Sequence, residues 1–336
     1  MNHIVTITGA FKNAGDYLIG DRARKLLAAH TDAKIVDLNR RAIRDHHYEV
    51  LSSARAVLLT GGPAYRSNIY PNIYKLDLSR VQAPVLAYGL GWRGELGQLA
   101  KDFRFEPAAA DFVESIHANK NLFSSARDHL TVEMLNAQGI KNVAMTGCPT
   151  WYDYDYLWHD YEFNPNVKKL VFSMPAQIQP MVPHLIADLS KRFPKAKKYL
   201  SFQAGYQFDH AKEKRDWHIR MLAKAIAAGF RPVSFESNFE KFEKVMSSID
   251  LHVGYRVHSH IFSVSQRKTS LLIAEDSRGI GQVEALGSTA LPADGSIQSA
   301  TEALDKLFDS RGESIVQAVA KIRETHPKML SFLEQL

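Results

Sequence analysis

The sequence has little cysteine and no long apolar or basic run. Cys148 is its only cysteine, so no disulfide can form within the chain, and a reducing cytoplasmic environment is expected. No stretch approaches about 18 consecutive apolar residues, which argues against a membrane-spanning helix. The first residues have neither a basic start nor a long apolar stretch, so no signal peptide is expected.

The basic residues are spread along the chain. There are 42 lysines and arginines against 36 acidic residues, which gives a formal net charge of +6. Basic clusters such as residues 195–198 stay below the roughly five to eight residues typical of a nucleic-acid-binding segment. We therefore expect no nucleic-acid partner, while a basic surplus still suits an acidic small substrate.

Several motifs of common enzyme sites are missing. The sequence has no HExxH, and one cysteine cannot supply a typical structural zinc site, so no metal site is expected. It has no GxSxG, so a hydrolase nucleophile elbow is not indicated. Cys148 follows a predicted strand and precedes a proline, and we interpret it as a packed small residue rather than a nucleophile.

Short apolar runs alternate with amphipathic stretches, which is typical of parallel α/β layers. Hydrophobic residues make up 45% and charged residues 23%, as in ordinary soluble globular proteins. The predicted strands are His3–Thr8, Lys34–Leu38, Ala56–Thr60, Val85–Tyr88, Val143–Thr146, Lys169–Met174, Tyr199–Phe202, Arg231–Phe235, Leu251–Gly254 and Ser270–Ala274. The predicted helices are Tyr17–Ala29, Asp111–Lys120, Leu130–Gln138, Pro183–Arg192, Lys212–Ala228, Glu240–Ser247, His258–Gln266 and Gln282–Leu286, with a last helix over 314–336.

The chain length suits about two domains at roughly 150 residues each. We predict two doubly wound, Rossmann-like α/β domains that face a cleft, over residues 1–150 and 167–312. The aromatic, acidic stretch 151–166 has little periodicity and is predicted to connect them. Residues 313–336 are predicted to form a C-terminal helix that can pack back on the first domain. Ligands of such sheets bind at the carboxyl ends of strands.

Three glycine-rich loops follow predicted strands of the first domain. In the first, Gly15 permits a tight turn beside Asn13, and Asp16 can cap the helix predicted from Tyr17. The alternative for this loop, which is neither GxGxxG nor a Walker loop, is a plain strand–helix turn. The second loop contains Gly61 and Gly62, which let the backbone approach a ligand closely.

The third loop carries Gly91, Trp92 and Arg93. Its indole can stack on a sugar or base, and the alternative is that Trp92 fills the core. Arg127 follows at a later strand end, where an arginine suits a bidentate grip on carboxylate or phosphate. The alternative there is a structural pair with Asp128, which is placed to cap the next helix.

The most informative stretch lies in the second domain, where Arg256 and His258 follow a strand that ends at Gly254. Basic groups at a helix N-terminus oppose the helix dipole, and a bound anion relieves that repulsion. A local conflict of this kind is expected at functional sites. His258 is a candidate general acid. In the next loop, Arg278 either adds to the anion site or pairs only with Asp276.

Taken in order, these motifs resemble the polysaccharide pyruvyl transferase family from residue 8 to about residue 287. Further matching pieces are Gly139-Ile140 and Thr146–Pro149. Gly-Gly-Pro at 61–63 stands where a third glycine is common, and Ser277-Arg278 stands where members often carry lysine.

The resemblance implies a two-domain fold of the GT-B type and transfer of pyruvate from phosphoenolpyruvate to sugar hydroxyls, with no further cofactor. It implies that Arg256, His258 and Arg127 contact phosphoenolpyruvate. Asp16 is the candidate base, and Trp92 or Trp151 and Tyr152 are candidates to stack on the acceptor sugar. The partners are then phosphoenolpyruvate and a glycan or lipid-linked acceptor.

Two other functions fit the same pattern. One is a GT-B glycosyltransferase with a nucleotide-sugar donor, for which Glu275 or Glu284 can bind the ribose. The other is a binding protein that keeps the anion cleft. A basic surface also allows contact with the inner face of the membrane, where lipid-linked glycans are built.

Overall fold

The computed structural model describes residues 2–62, 64–206 and 211–336, so Pro63 of the Gly-Gly-Pro motif lies outside the described residues. The chain divides into two compact units. Unit 1 comprises Met1–Ala10, Asp16–Tyr152 and Ile322–Leu336. Unit 2 comprises Phe11–Gly15 and Asp153–Lys321. Phe11–Gly15 therefore belongs to unit 2, although the residues on both sides of it belong to unit 1. Ile322–Leu336 belongs to unit 1, although the residues before it belong to unit 2.

Unit 1 contains a parallel sheet that, within the described residues, has six strands in the order β2-β1-β3-β4-β5-β6. The strands are β1 (His3–Thr8), β2 (Lys34–Asn39), β3 (Ala56–Thr60), β4 (Val85–Leu90), β5 (Ser124–Ala126) and β6 (Val143–Met145). The helices are α1 (Ala14–His30), α2 (Tyr48–Ser52), α3 (Pro107–Ile116) and α4 (His129–Ala137). Every residue of β1 and β3 is buried, as expected for central strands of a parallel sheet.

Unit 2 contains a second parallel sheet, whose described strands follow the order β12-β11-β10-β7-β8-β9. The strands are β7 (Lys169–Ser173), β8 (Lys197–Phe202), β9 (Phe230–Ser234), β10 (Leu251–Gly254), β11 (Thr269–Ala274) and β12 (Leu291–Pro292). The helices are α5 (Val182–Arg192), α6 (Lys212–Ala227), α7 (Phe239–Ser247), α8 (Val257–Ser265), α9 (Ser277–Ala285) and α10 (Ile297–Asp309). Aromatic side chains pack between two of these helices, where Phe242 and Phe262 lie edge to face with centroids 5.2 Å apart.

The last helix, α11 (Glu313–Glu334), crosses the division between the units at residue 321. Its final part packs within unit 1, where Phe332 stacks on Tyr88 with ring centroids 5.2 Å apart. Gln335 also bonds with both its amide atoms to the backbone of Phe123. Within the described part of the chain, no helix is long and apolar enough to cross a membrane.

The strand predictions are close, and the differences have local causes. β5 was not predicted because Ser-Ser-Ala has no apolar pattern. Its hydroxyls accept hydrogen bonds from the β4 backbone, at 3.1 Å from Ala87 N to Ser124 Oγ and 2.9 Å from Gly89 N to Ser125 Oγ. β4 extends through Gly89 to Leu90, beyond the predicted end at Tyr88.

The helix predictions fail at two places in unit 2. α9 begins at Ser277, five residues before the predicted start, because the glycines at 279 and 281 lie inside the helix and not in a turn. α10 was not predicted at all, although Ser296 caps it by accepting a hydrogen bond from Ser299 N.

Candidate active site

The carboxyl edge of the unit 2 sheet holds Arg256 in a fixed position before α8. Its backbone N–H donates to Ser173 Oγ at 3.1 Å, and its Nε donates to Met174 O at 2.7 Å. Within the part of the chain that the structure describes, Nη1 and Nη2 have no hydrogen-bond partner and Arg256 makes no ion pair. The hydrogen bond from Nε therefore orients the guanidinium, and its Nη1 and Nη2 groups are available to bind an anion.

Both basic and acidic side chains surround Arg256. Burial lowers the pKa of Arg256, the carboxylates of Glu275 and Asp276 oppose this, and the charge of Arg278 lowers that pKa further. Burial also lowers the pKa of Lys214 in α6, and the charge of Arg256 adds to that lowering. The charge of Glu275 opposes the lowering at Lys214. A cation whose charge lowers the pKa of a neighbouring cation favours a bound anion beside the two.

The nearby acids are engaged by their own loops. Both oxygens of Glu275 accept the N–H of Ala176, at 2.9 and 3.0 Å, and Oε1 also accepts that of Gln177 at 3.0 Å. Asp276 caps α9 and binds the guanidinium of Arg278 through both oxygens, at 2.8 and 2.9 Å from Nε. Arg278 thus follows the pairing alternative, and its role as an anion ligand stays a prediction.

His258 lies in the first turn of α8 and packs against Gly15. A Cβ at Gly15 would lie 2.6 Å from His258 Nδ1, so only glycine leaves room for the imidazole. Asn13 precedes α1, and its Oδ1 accepts the N–H of Gly15 at 3.1 Å. The side chain of Arg256, the residue before α8, does not cap that helix. Unit 2 therefore brings together Arg256, His258, Asn13 and Gly15.

The segment Phe11–Gly15 is fastened within unit 2 by backbone hydrogen bonds. Ala14 N donates to Gln203 O at 3.1 Å, and Ser237 N donates to Lys12 O at 2.9 Å. Lys12 also pairs with Glu236 at 3.1 Å. Gln203, only 3% exposed, donates from Nε2 to Ser259 Oγ at 2.8 Å and so connects this segment to α8.

In unit 1, the predicted residues around Arg127 also come together, but in the interior. Arg127 is 1% exposed, its Nε lies 3.2 Å from Asp128 Oδ2, and its Nη2 donates to Trp92 O at 3.4 Å. A Cβ at Gly91 would lie 1.9 Å from Arg127 Nε, so glycine is needed beside this side chain. The structural pairing with Asp128 is observed, and contact of Arg127 with phosphoenolpyruvate stays a prediction.

The glycine turns of unit 1 adopt left-handed backbone conformations, with φ of +58° at Gly61 and +83° at Gly62. The O atom of Gly62 accepts the N–H of Gly91 at 3.1 Å, which joins the second and third loops. Residues 89–94 also have the GxGxxG spacing, which the sequence analysis missed. No α-helix follows this spacing before α3, so it is not a dinucleotide-binding turn.

The aromatic candidates of unit 1 are buried, and the capping prediction for Asp16 is wrong. Trp92 is 1% exposed and packs edge to face on Phe103, with ring centroids 5.8 Å apart, so the core alternative is observed and stacking on a sugar stays a prediction. Trp151 and Tyr152 are likewise buried. Asp16 does not cap α1, because that helix begins at Ala14 and places Asp16 inside its first turn.

The remaining predictions for unit 1 concern Arg93 and Asp16. Arg93 is half-buried, and its N–H donates to Tyr65 O at 3.0 Å, which fixes the backbone after Trp92. Burial raises the pKa of Tyr74 to about 12, Arg40 opposes this rise, and the charge of Asp16 adds to it least. A role for Asp16 as base stays a prediction.

Sequence reasoning missed two residues of the unit 2 site. Lys214 lies in the first turn of α6, where its charge opposes the helix dipole as that of Arg256 does at α8, so the same signal was present in the sequence. Gln203 left no such signal, because its role depends on contacts with Ala14 and Ser259 that are distant in the sequence.

Neither a metal site nor a reactive thiol is visible. In the described ranges, no group of three or more His, Cys, Asp or Glu side chains is placed to hold a metal ion. Cys148 is buried, accepts a hydrogen bond from Thr150 Oγ1 at 3.0 Å, and has a thiol pKa that burial raises. The chemistry available in unit 2 is thus anion binding by Arg256 and Lys214 beside an imidazole.

Several solved structures have a fold similar to that of this chain. UDP-GlcNAc 2-epimerase from Neisseria meningitidis, bound to UDP-GlcNAc, is 12% identical, with a TM-score of 0.59 over 99% of this chain and 100% of that one. MnaA of S. aureus, solved with UDP, is 12% identical, with a TM-score of 0.59 over 98% of this chain and 94% of that one. HepE from Anabaena, in complex with UDP-glucose, is 11% identical, with a TM-score of 0.54 over 99% of this chain and 100% of that one.

These similarities show the fold alone, and they confirm the predicted class of two Rossmann-like α/β domains of the GT-B type. No protein with a curated description matches the chain. The sequence pattern of the polysaccharide pyruvyl transferase family, however, matches residues 13–277, which include Asn13, Arg127, Arg256 and His258. The chain is therefore a transferase that belongs to the polysaccharide pyruvyl transferase family.

Proposed function

We propose that this enzyme transfers a pyruvyl group from phosphoenolpyruvate to two hydroxyls of a sugar in a cell-surface or exopolysaccharide precursor. The products are a pyruvate ketal and inorganic phosphate. The observation that supports this most directly is the guanidinium of Arg256, which is held by Met174 O through Nε and keeps Nη1 and Nη2 for a ligand.

The charge of the donor suits this part of unit 2. Phosphoenolpyruvate carries a carboxylate and a phosphate, and an arginine binds either group with two parallel hydrogen bonds. The first N–H groups of α8 have no side-chain cap from Arg256 and can bind an oxyanion. Lys214 adds a second cation close to Arg256.

His258 is proposed as the general acid. It donates a proton to the methylene carbon of phosphoenolpyruvate, which leaves an oxocarbenium-like centre at the neighbouring carbon. A sugar hydroxyl attacks that carbon and loses its proton to a base, for which Asp16 is the candidate. Phosphate then leaves, the second hydroxyl attacks the same carbon and closes the ketal ring, and its proton passes to the released phosphate. The reaction so written uses phosphoenolpyruvate as donor and no other cofactor.

A nucleotide-sugar donor is the alternative, and the UDP ligands of the structural neighbours favour it. A nucleotide in the second domain needs a carboxylate for its ribose. Both oxygens of Glu275, one of the two sequence candidates, accept backbone N–H groups of Ala176 and Gln177, so a ribose would have to displace them. This competition argues against Glu275 as the ribose ligand, while Glu284 stays a candidate for that role.

The test is a thermal-shift titration with phosphoenolpyruvate, UDP, GDP and inorganic phosphate, on the wild type and on Arg256→Gln. A ligand at about 100 times its Kd stabilises the native state by about 2.7 kcal/mol. We expect a shift with phosphoenolpyruvate that is absent in Arg256→Gln and unchanged in Arg231→Gln. Arg231 is a matched control because it is an exposed arginine of the same unit.

A shift with UDP or GDP and none with phosphoenolpyruvate would replace this proposal by glycosyl transfer. A shift with phosphoenolpyruvate that survives in Arg256→Gln would remove Arg256 from the donor site. Phosphate release from phosphoenolpyruvate in the presence of methyl glycosides then identifies the acceptor class.

We also propose that the enzyme works in the cytoplasm at the inner face of the membrane, where lipid-linked acceptors are built. The net charge of +6 supports attraction to anionic lipids. Binding to vesicles containing phosphatidylglycerol should disappear as salt is raised, and salt-independent or absent binding would contradict this location.

A further inference from the structure

A buried chain of polar side chains begins at the backbone of Arg256. Ser173 Oγ, which accepts the Arg256 N–H, lies 2.9 Å from His252 Nε2. His252 Nδ1 lies 2.8 Å from Ser270 Oγ, and His260 Nδ1 lies 2.8 Å from the same hydroxyl oxygen. All four side chains are buried, so each of their polar atoms must find its partner inside the protein.

The proton positions of this chain follow from its fixed end. The Arg256 N–H is a donor, so Ser173 Oγ accepts there and its own proton is available for His252 Nε2. His252 then donates from Nδ1 to Ser270, and Ser270 donates to His260 Nδ1. In this arrangement, every hydroxyl of the chain donates once and accepts once, and both imidazoles are neutral.

Neutral imidazoles agree with their surroundings. Burial lowers the pKa of His260 to about 4. Burial also holds the pKa of His252 well below its usual value, and the neighbouring His260 lowers it further. The side chains that fix Ser173 therefore keep one protonation state at neutral pH.

Ser173 fixes the turn that carries Arg256 at two points. Its backbone O accepts the Tyr255 N–H at 3.1 Å, and its hydroxyl accepts the Arg256 N–H. The following residue, Met174, accepts from Arg256 Nε. Gly254 allows this close approach, because a Cβ there would lie only 2.7 Å from Ser173 Oγ.

We propose that Ser173 is a positioning residue for donor binding, which acts through Arg256 and is held in its orientation by His252 and Ser270. The proposal rests on the proposed binding of phosphoenolpyruvate by Arg256. A guanidinium that is oriented before the ligand arrives loses less freedom on binding, and this raises affinity without a further contact to the ligand.

The test is a double-mutant cycle on the dissociation constant of phosphoenolpyruvate. We expect Ser173→Ala to raise that constant about tenfold, as the loss of one oriented hydrogen bond can do. In the Arg256→Gln background, the same change should alter it by less than about twofold, because a residue that acts through Arg256 has nothing left to orient.

Ser201→Ala is the matched control. Ser201 is buried in the neighbouring strand β8, pairs in register with Ser173, and its hydroxyl has no hydrogen-bond partner among the described residues. Its substitution should leave the dissociation constant unchanged. Ser270→Ala breaks the chain one link away and should raise the constant about threefold, so the proposal is testable even if Ser173→Ala does not fold.

Equal effects of Ser173→Ala in the wild type and in Arg256→Gln would overturn the proposal, since Ser173 would then act independently of Arg256. Unchanged binding in both Ser173→Ala and Ser270→Ala would overturn it as well. If Arg256→Gln itself binds phosphoenolpyruvate like the wild type, the proposed donor site fails first, and this outcome is distinct from the other two.

Discussion

Arg127 of unit 1 and Arg256 of unit 2 occupy corresponding places, each between a parallel strand and the helix that follows it. Arg127 lies in the interior, where Asp128 pairs with its guanidinium and also caps α4 by accepting the Thr131 N–H at 2.8 Å. Arg256 makes no ion pair among the described residues, although the charges of Glu275 and Asp276 act on it, and its side chain does not cap α8. The protein thus pairs one arginine with an adjacent acid and leaves the other without such a pair.

This difference is the reason why we propose Arg256 as the principal ligand of the donor, while contact of Arg127 with the donor stays a prediction. Both residues follow a strand and precede a helix, and both were predicted to contact phosphoenolpyruvate. The sequence does show an aspartate directly after Arg127, whereas Val257 follows Arg256. An acid in the capping position satisfies the helix N-terminus and the arginine together, so little remains for an external anion.

The largest expected effect is on folding, and it should differ between the two arginines. Arg127→Met leaves Asp128 buried without its cation, so the free energy of unfolding should fall by about 3–5 kcal/mol. Arg256→Met removes a cation that has no ion pair, so the same quantity should change by no more than about 1 kcal/mol. Urea unfolding of both variants and the wild type measures this.

A loss of stability in Arg256→Met as large as that in Arg127→Met would break the comparison, because Arg256 would then also be a structural residue. Arg127→Met,Asp128→Asn serves as the control. It removes the unpaired charge, and part of the lost stability should return.

The second effect concerns pH, since each unit buries a histidine whose pKa is lowered to about 4, His117 in unit 1 and His260 in unit 2. Below the unfolded pKa of about 6.5, the unfolded chain binds a proton that the folded chain does not, so stability falls as the pH falls toward 4. Each of these histidines should lower the free energy of unfolding by about 2 kcal/mol between pH 7 and pH 5.

His117→Gln and His260→Asn remove the titration while keeping an acceptor near Nε2 and Nδ1, respectively. Urea midpoints at pH 7 and pH 5 should therefore lie closer together in each variant than in the wild type. An undiminished pH dependence in either variant would mean that its histidine is not buried in the neutral form.

The third effect compares the glycines beside the two sites. Gly91→Ala places a Cβ against the buried Arg127 and should lower the free energy of unfolding by about 1–2 kcal/mol. Gly15→Ala places a Cβ 2.6 Å from Nδ1 of His258, so the half-buried imidazole must leave its position to accommodate the methyl group. Its stability should fall by less than about 1 kcal/mol, while phosphate release from phosphoenolpyruvate should fall about tenfold.

These outcomes are measured by urea unfolding and by a phosphate assay on the same preparations. Gly139→Ala is a useful control, since its Cβ meets nothing within 4 Å but its φ is +84°, so it reports backbone strain alone. Full activity in Gly15→Ala would show that the position of His258 does not matter for the reaction.

The fold was predictable where burial follows the chain locally. The strands His3–Thr8, Ala56–Thr60 and Leu251–Gly254 have the predicted bounds, because central parallel strands are short apolar runs between loops. β5 was not predictable in this way, because it has Ser124 and Ser125 where an apolar run would be expected. The hydroxyls of these serines accept hydrogen bonds from the backbone of β4. The early start of α9 depends on Gly279, where a Cβ would lie 2.7 Å from Ala274 Cβ, so the glycine permits close helix packing.

Residues of the candidate site were predictable only where their charge is unfavourable at their own position in a helix. Arg256 and His258 stand out because they oppose the dipole of α8, and Lys214 carries the same signal in α6. The sequence left two environments open for Trp92, because an indole in a glycine-rich loop gives the same pattern whether it is exposed or buried, and the structure shows the buried one. Ser173 and Gln203 act through contacts between distant segments, which no local pattern encodes.

The assignment of Phe11–Gly15 to unit 2 has a consequence for how the enzyme can be divided. A single cut after Tyr152 leaves the second fragment without the segment that lies on His258, and the first without Ile322–Leu336. Neither fragment then contains all of its own unit. Exchange of a whole catalytic half between relatives therefore requires several joined pieces, so variation is expected to enter this enzyme by substitution rather than by swapping halves.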